Sequence, residues 1–287
     1  MNTGGLIRVD GQAETCVPAN DRGLAYGDGL FETIACAGGR FLLWDRHMRR
    51  LETGCERLSF PMPDWELLFS EAQRLRADRS RGVLKILMTR GDGERGYRSP
   101  EQARLRRILS WHDLPEGETV RNRCRSGVRV RSCRTPVSIQ PLLAGLKHCN
   151  RLDQVMARME WRDESIAEGL MYDPEGRVIG GTSSNLFLVR KGRLFTPELS
   201  RSGVAGCMRA EVLDAARALD LPLEIIDLGR ADLEAADEMF LTNSLFGIRP
   251  VREWDGVAKT VGPLTRRLQA RCASAWPSFS DESPVSP

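Results

Sequence analysis

Hydrophobic and polar positions along the chain follow two periods, and the switches between them mark the elements. In 24-LAYGDGLFETIACAGGRFLLW-44 the apolar, β-prone runs are broken at Gly-Asp-Gly and Gly-Gly. That pattern predicts strand, bend, strand, hairpin and strand. After Asp45, a good N-cap, Met48, Leu51, Cys55 and Leu58 recur at helical spacing, so 45–60 reads as a helix. A second helix is expected over 64–78, after a Pro-Met-Pro break. Strands at 82–91 and 104–111 then flank the polar loop 91-GDGERGYRSPEQA-103.

The second half mixes both periods. The pattern predicts a strand at 127–133, a helix running to about 163, a hairpin over 167–197 and a helix at 207–220. A strand at 223–228, a short helix at 230–238, a strand at 238–243, a turn at 244–251 and a last helix at 261–273 follow. The class expected is α/β (α+β). The polar stretch 112-HDLPEGETV-120 separates a small N-terminal domain, 1–114, from a larger one, 120–276, that carries Lys147. The polar, proline-rich tail 277–287 reads as disordered.

Composition narrows the function. Apolar residues are 41% of the 287 and charged residues 28%, as in ordinary soluble domains. The net charge is +3, with both signs interspersed, so no basic stripe points to a nucleic-acid partner. No apolar run approaches ~18 residues and no N-terminal segment resembles a signal peptide, so the membrane is not an expected location. The eight cysteines form no Cys-x-x-Cys pair and do not cluster with the three histidines. A metal site is therefore not expected, and the thiols read as reduced, in the cytoplasm.

Charge holds one anomaly. Of 42 basic residues only Lys85, Lys147, Lys191 and Lys259 are lysines. Lys85 lies in a strand-like run, Lys191 in a hairpin turn and Lys259 near a terminal loop. Lys147, in 146-LKHCNRLDQVMAR-158, invites a chemical reading, because an amine can lose its proton or condense with a carbonyl and a guanidinium cannot. Position alone fits a surface lysine at a helix start equally well.

Three further features suggest a phosphate. The turn 203-GVAGCMRAEVL-213 opens a helix with two glycines, leaving the amides of Cys207 and Met208 to donate to an anion. The run 242-TNS-244 follows an apolar strand, and Arg50 lies in 47-HMRRL-51. Each has an ordinary alternative: a simple turn, a turn cap and a solvated helix arginine. Taken with a reactive lysine they describe a site for pyridoxal 5'-phosphate. That cofactor needs an amine, phosphate donors and usually a carboxylate at its pyridine nitrogen.

The motifs 22-RGLAYGDGLFET-33, 47-HMRRL-51, 94-ERGY-97, 146-LKHCNRLDQV-155, 185-NLF-187, 203-GVAGCMR-209 and 237-DEMFLTNSLFGIRPV-251 carry a resemblance. In this order, from about residue 5 to 270, they resemble the fold-type IV, branched-chain-aminotransferase-like pyridoxal phosphate enzymes. The resemblance implies a two-domain fold of the D-amino acid aminotransferase type and a homodimer. It implies that Lys147 is the Schiff-base lysine and proton shuttle, and that Arg50, the amides of Cys207 and Met208, and Ser244 hold the phosphate. Tyr26, Tyr97 and Asn243 fall where members line the substrate cavity. Leu-Lys-His-x-Asn-Arg-Leu and Arg-Gly-Tyr are most similar to the lyase branch, which forms 4-aminobenzoate and pyruvate from 4-amino-4-deoxychorismate for folate synthesis.

Two other readings stay open: a D-amino acid or branched-chain aminotransferase, and a cofactor-binding homologue without turnover. The second is motivated by a departure. Where the family reads Val-x-Glu and pairs that Glu with the pyridine nitrogen, this chain has 178-VIGGTSSNLF-187, with Gly180 in the acidic place.

Overall fold

The computed structural model describes residues 6–13, 16–114, 118–273 and 275–276, so the tail expected at 277–287 lies outside the described residues. The chain divides into two compact units. The first is Met1–Leu114 together with Leu146–Asn150; the second is Pro115–Gly145 with Arg151–Pro287.

In the first unit the order is β1 (Ile7–Val9), α1 (Arg22–Tyr26), β2 (Gly29–Ala37), β3 (Arg40–Phe41), α2 (Trp44–Arg57), α3 (Trp65–Arg76), β4 (Gly82–Thr89) and β5 (Arg106–His112). The strands form one antiparallel sheet in the order β1-β5-β4-β2-β3. Its core joins Leu30, Ile34, Leu84, Ile86 and Leu109 of the strands to Leu51 and Cys55 of α2 and Leu68 and Ala72 of α3. The spacing of the helical residues is the 3.6-residue period that predicted those helices.

The segment expected as a strand before Gly-Asp-Gly is instead the short helix α1. Asp21 caps it by accepting from the amides of Gly23 (2.8 Å) and Leu24 (3.3 Å), and Gly27 ends it at φ 66°.

A second difference concerns Lys147, which the sequence placed in the C-terminal domain. Its backbone belongs to the first unit: the Phe31 amide donates to the Lys147 carbonyl at 2.9 Å, and the Cys149 amide donates to the Gly29 carbonyl at 2.9 Å. His148 and Leu30 form an antiparallel bridge. The 146–150 segment thus runs alongside the start of β2, a pairing no local pattern encodes.

The second unit contains α4 (Glu118–Ser126), β6 (Val128–Ser132), α5 (Leu152–Arg158), β7 (Ile166–Tyr172), β8 (Val178–Gly181), β9 (Asn185–Arg190) and β10 (Arg193–Pro197). It continues with α6 (Cys207–Ala218), β11 (Leu223–Ile226), α7 (Arg230–Glu234), β12 (Glu238–Asn243), β13 (Gly247–Trp254), β14 (Val257–Ala258) and α8 (Pro263–Arg271). One mixed sheet runs β11-β10-β9-β12-β13-β6-β7-β8, with β14 on β13. Its main core gathers Val130, Leu170, Leu186, Leu188, Met239, Leu241, Val251 and Trp254.

The expected turn over 244–251 is shorter than predicted, since β13 starts at Gly247 and pairs antiparallel with β12 from Gly247↔Asn243 to Pro250↔Phe240. Gly247 and Pro250 disguised that strand. Helix α4 falls partly in the stretch read as a linker.

Candidate active site

Lys147 sits half-buried beside β2, with Nζ 4.4 Å from the centre of the Phe31 ring. The next residue of β2, Glu32, points into a buried polar group on α2. Arg50 donates to both carboxylate oxygens, Nε to Oε1 at 2.8 Å and Nη2 to Oε2 at 2.5 Å. His47 Nδ1 lies 2.6 Å from Oε2 of the same carboxylate. His47 and Arg50 are three apart on α2 and share one face, so a single carboxylate can orient both.

The electrostatics follow from burial and pairing. Burial alone would raise the Glu32 carboxyl, but the adjacent Arg50 charge and the His47 and Arg50 hydrogen bonds overcome it and hold the group at about 2. His47 moves below its ordinary value. Burial is the largest cause, and the positive charges of Arg50 and Lys147 add to it against the pull of Glu32. The imidazole is then neutral near pH 7 and gives its Nδ1–H to Glu32, while its buried Nε2 has no hydrogen-bond partner among the described residues. The sequence singled out Arg50 and missed Glu32 and His47, although both stand in the quoted Phe-Glu-Thr and His-Met-Arg-Arg-Leu strings.

Tyr26 and Tyr97 are brought together. The Gly96 amide donates to the Tyr26 hydroxyl at 3.0 Å, and the two rings meet edge-on with centroids 5.4 Å apart.

In the second unit, α6 starts at Cys207 behind Gly206, which offers no side-chain cap, and Cys207 and Met208 form its buried first turn. Asn185 fixes the approach to this helix. Its Nδ2 donates to the Val204 carbonyl at 2.9 Å, and a Cβ on Gly206 would lie 2.0 Å from its Oδ1. Asn243 braces its own turn by accepting from the amides of Leu245 (2.8 Å) and Phe246 (3.0 Å) and donating to the Ser183 carbonyl (3.3 Å). Ser244 follows in that turn, half-buried.

Gly180 has a backbone reason to be glycine. Its φ is +155°, and a Cβ there would lie 2.8 Å from the Ser184 carbonyl oxygen, in the tight turn where the Gly181 amide donates to that same oxygen at 2.7 Å. Glu168 is a buried carboxylate on the neighbouring strand β7. It accepts from the amides of Gly169, Thr182 and Ser183 and from the hydroxyls of Thr182, Ser183 and Ser184. We therefore expect Gly180→Glu and Gly180→Ala alike to cost about 1–3 kcal/mol of stability through strain. Thermal melts of both variants check this, and an unchanged melting temperature for Gly180→Glu would reject the strain account.

In the first unit, an amine near an arginine held by a buried carboxylate suits a phosphate-bearing aldehyde cofactor. The chain belongs to the amino-transferase class IV family, whose model matches residues 29–254. Two lyases are close in sequence or structure. The chain is 35% identical to the aminodeoxychorismate lyase of Vibrio harveyi over 282 residues, covering 92% of this chain and 98% of that one. It superposes on the crystal structure of 4-amino-4-deoxychorismate lyase from Pseudomonas aeruginosa with TM-score 0.89 and 49% identity, covering 94% and 98%. By contrast, identity to the D-alanine aminotransferase of Listeria innocua is 25%, with 89% of each chain covered. The fold is thus that of fold-type IV enzymes.

Proposed function

We propose that the chain is a pyridoxal phosphate-dependent lyase that splits 4-amino-4-deoxychorismate into 4-aminobenzoate and pyruvate, serving folate synthesis. The likeness to the Pseudomonas aeruginosa lyase along nearly the whole of both chains carries this reading. Identity to the aminotransferase is lower at similar coverage, so it favours transamination less.

Each residue then has a task. Lys147 Nζ would hold the cofactor through its aldehyde. Arg50, held by Glu32, together with the amides of Cys207 and Met208 and Ser244, binds the phosphate. When bound, the cofactor supplies an aldehyde for the substrate amine and an electron sink. Lys147 Nζ, when free, would take the proton from the amine-bearing carbon and return one to the departing group. Tyr26, Tyr97 and Asn243 line the substrate site. Gaining an aromatic ring helps drive the loss of the enolpyruvyl oxygen, and that is why the step can run with Gly180 in the acidic place.

The proposed assembly is a homodimer in the cytoplasm. An apolar stripe on α5 supports a second copy: Leu152, Val155 and Met156, together with Met159 just past the helix end, are all more than half exposed. No described helix is long and apolar enough to cross a membrane.

The test combines two measurements on purified protein. With pyridoxal phosphate it should absorb in the visible and release 4-aminobenzoate from 4-amino-4-deoxychorismate. Visible absorbance without product would favour the homologue without turnover, and brisk conversion of amino acids with 2-oxoglutarate would favour the aminotransferase. We further expect Arg50→Lys to weaken pyridoxal phosphate binding about tenfold or more, since an ammonium cannot serve Glu32 in a fork and reach a phosphate as well. Titration of the apoprotein reads this directly, and an unchanged dissociation constant would remove Arg50 from the phosphate site.

A further inference from the structure

The motif 22-RGLAYGDG-29 opens on an arginine that the proposed chemistry leaves without a task. Arg22 is 4% exposed, although it carries a full charge. Its Nε donates to Asp28 Oδ2 at 2.8 Å, and Arg90 Nε donates to that same oxygen at 2.8 Å. Asp28 is thereby held by two guanidinium groups, and one of them has its other nitrogens to spare. Arg22 spends those nitrogens on three successive backbone carbonyls. Nη1 donates to Gly96 at 3.1 Å and to Arg98 at 3.2 Å, and Nη2 donates to Tyr97 at 3.1 Å.

The rest of the arrangement points the same way. The Arg22 guanidinium lies 5.0 Å from the centre of the Tyr26 ring, whose hydroxyl accepts the Gly96 amide. The Tyr26 ring in turn meets the Tyr97 ring edge-on. Tyr97 itself is 87% exposed. An exposed tyrosine on a polar loop would ordinarily sample many positions. Here the backbone on either side of it is gripped by a buried charge. A planar fork with five N–H donors can serve a carboxylate and three carbonyls at once, and a lysine cannot.

We propose that Arg22 is a positioning residue for the lyase reaction, clamping the carbonyls of 96–98 so that Tyr97 is presented to substrate in one conformation. The proposal rests on Tyr97 contacting substrate. Arg22 itself touches neither substrate nor cofactor. Its effect passes through the ordering of the loop, which lowers the entropy lost when substrate binds.

The experiment uses the full-length holoenzyme with Arg22→Lys, Tyr97→Ala and the double variant. Arg22→Lys should raise KM about tenfold and change kcat much less, while the visible absorbance of the lysine-bound cofactor stays at its wild-type wavelength. Trypsin should cut after Arg95 and Arg98 several-fold faster. In kcat/KM the two single effects should not add, because the arginine acts through the tyrosine. Additive effects, or an unchanged KM and cleavage rate in Arg22→Lys, overturn the proposal. If Tyr97→Ala leaves KM unchanged, the substrate role of Tyr97 fails and the proposal falls with it. Faster cleavage in Arg22→Lys would then show that the clamp exists but serves no substrate. Should Arg22→Lys prove poorly folded, Tyr26→Phe, which removes the acceptor for the Gly96 amide, must reproduce the faster cleavage and raised KM, and failure to do so counts against the clamp.

Discussion

Replacing Lys147 by alanine should abolish the visible absorbance of lysine-bound cofactor and lower 4-aminobenzoate formation by several orders of magnitude. The lysine is assigned two tasks, bonding the aldehyde and moving the proton, so its loss removes both. Arginine at 147 should do as badly, because its guanidinium neither condenses with an aldehyde nor loses a proton at working pH. Steric fit separates these two variants and chemistry unites them. Alanine leaves space and arginine fills it, so equal losses would point to the missing amine rather than to packing. Borohydride reduction followed by peptide mapping is the decisive measurement. Cofactor fixed to Lys85, Lys191 or Lys259 would end the assignment.

The largest stability effect is expected at Glu32. Glu32→Gln removes the buried charge that Arg50 and His47 share, and breaking a buried pair from one side typically costs about 3–5 kcal/mol. The wild-type carboxyl is held at about 2, well below its ordinary 4.5. The folded protein therefore binds fewer protons than the unfolded chain between those values. The stabilisation is complete above about pH 4.5 and is lost as pH falls toward 2, by an amount on the order of 3 kcal/mol. The amide does not titrate. The gap between wild type and Glu32→Gln should thus be widest near neutrality and narrow as the buffer is taken below pH 4.5. Urea melts from pH 7 down to about 3.5 would show it. A gap of constant size would mean that Glu32 is not the ionised anchor of this group. The variant should also bind pyridoxal phosphate more weakly, since Arg50 would no longer be held in place.

Much of the fold was readable from the chain alone, and the chain also supplied the candidates for the proposed site. The helices at 44–57, 65–76 and 207–218 and the strands at 82–89 and 238–243 follow apolar spacing and caps, which are local signals. Lys147 stood out because lysine is scarce here, and Arg50, Cys207, Met208 and Ser244 stood out by motif. Besides α4, local signals misread two strands or turns. Asp21 and Gly27 close a single helical turn within what looked like a strand, and Gly247 and Pro250 made β13 look like a turn.

What only the tertiary structure decided are choices of partner. The backbone of Lys147 pairs with β2, more than a hundred residues earlier. Glu32 meets Arg50 and His47 because β2 packs on α2, and Arg22 finds the carbonyls of 96–98 because Arg22 and the loop both lie against Tyr26. Gly180, which by sequence was a lost carboxylate, is by structure a backbone turned to φ +155° against a carbonyl oxygen. Side-chain periodicity is set by each residue and its near neighbours, so the chain alone determines which segments are helix or strand. Which buried charge finds which counter-charge depends on elements far apart in sequence arriving at one place, and only the folded protein brings them there.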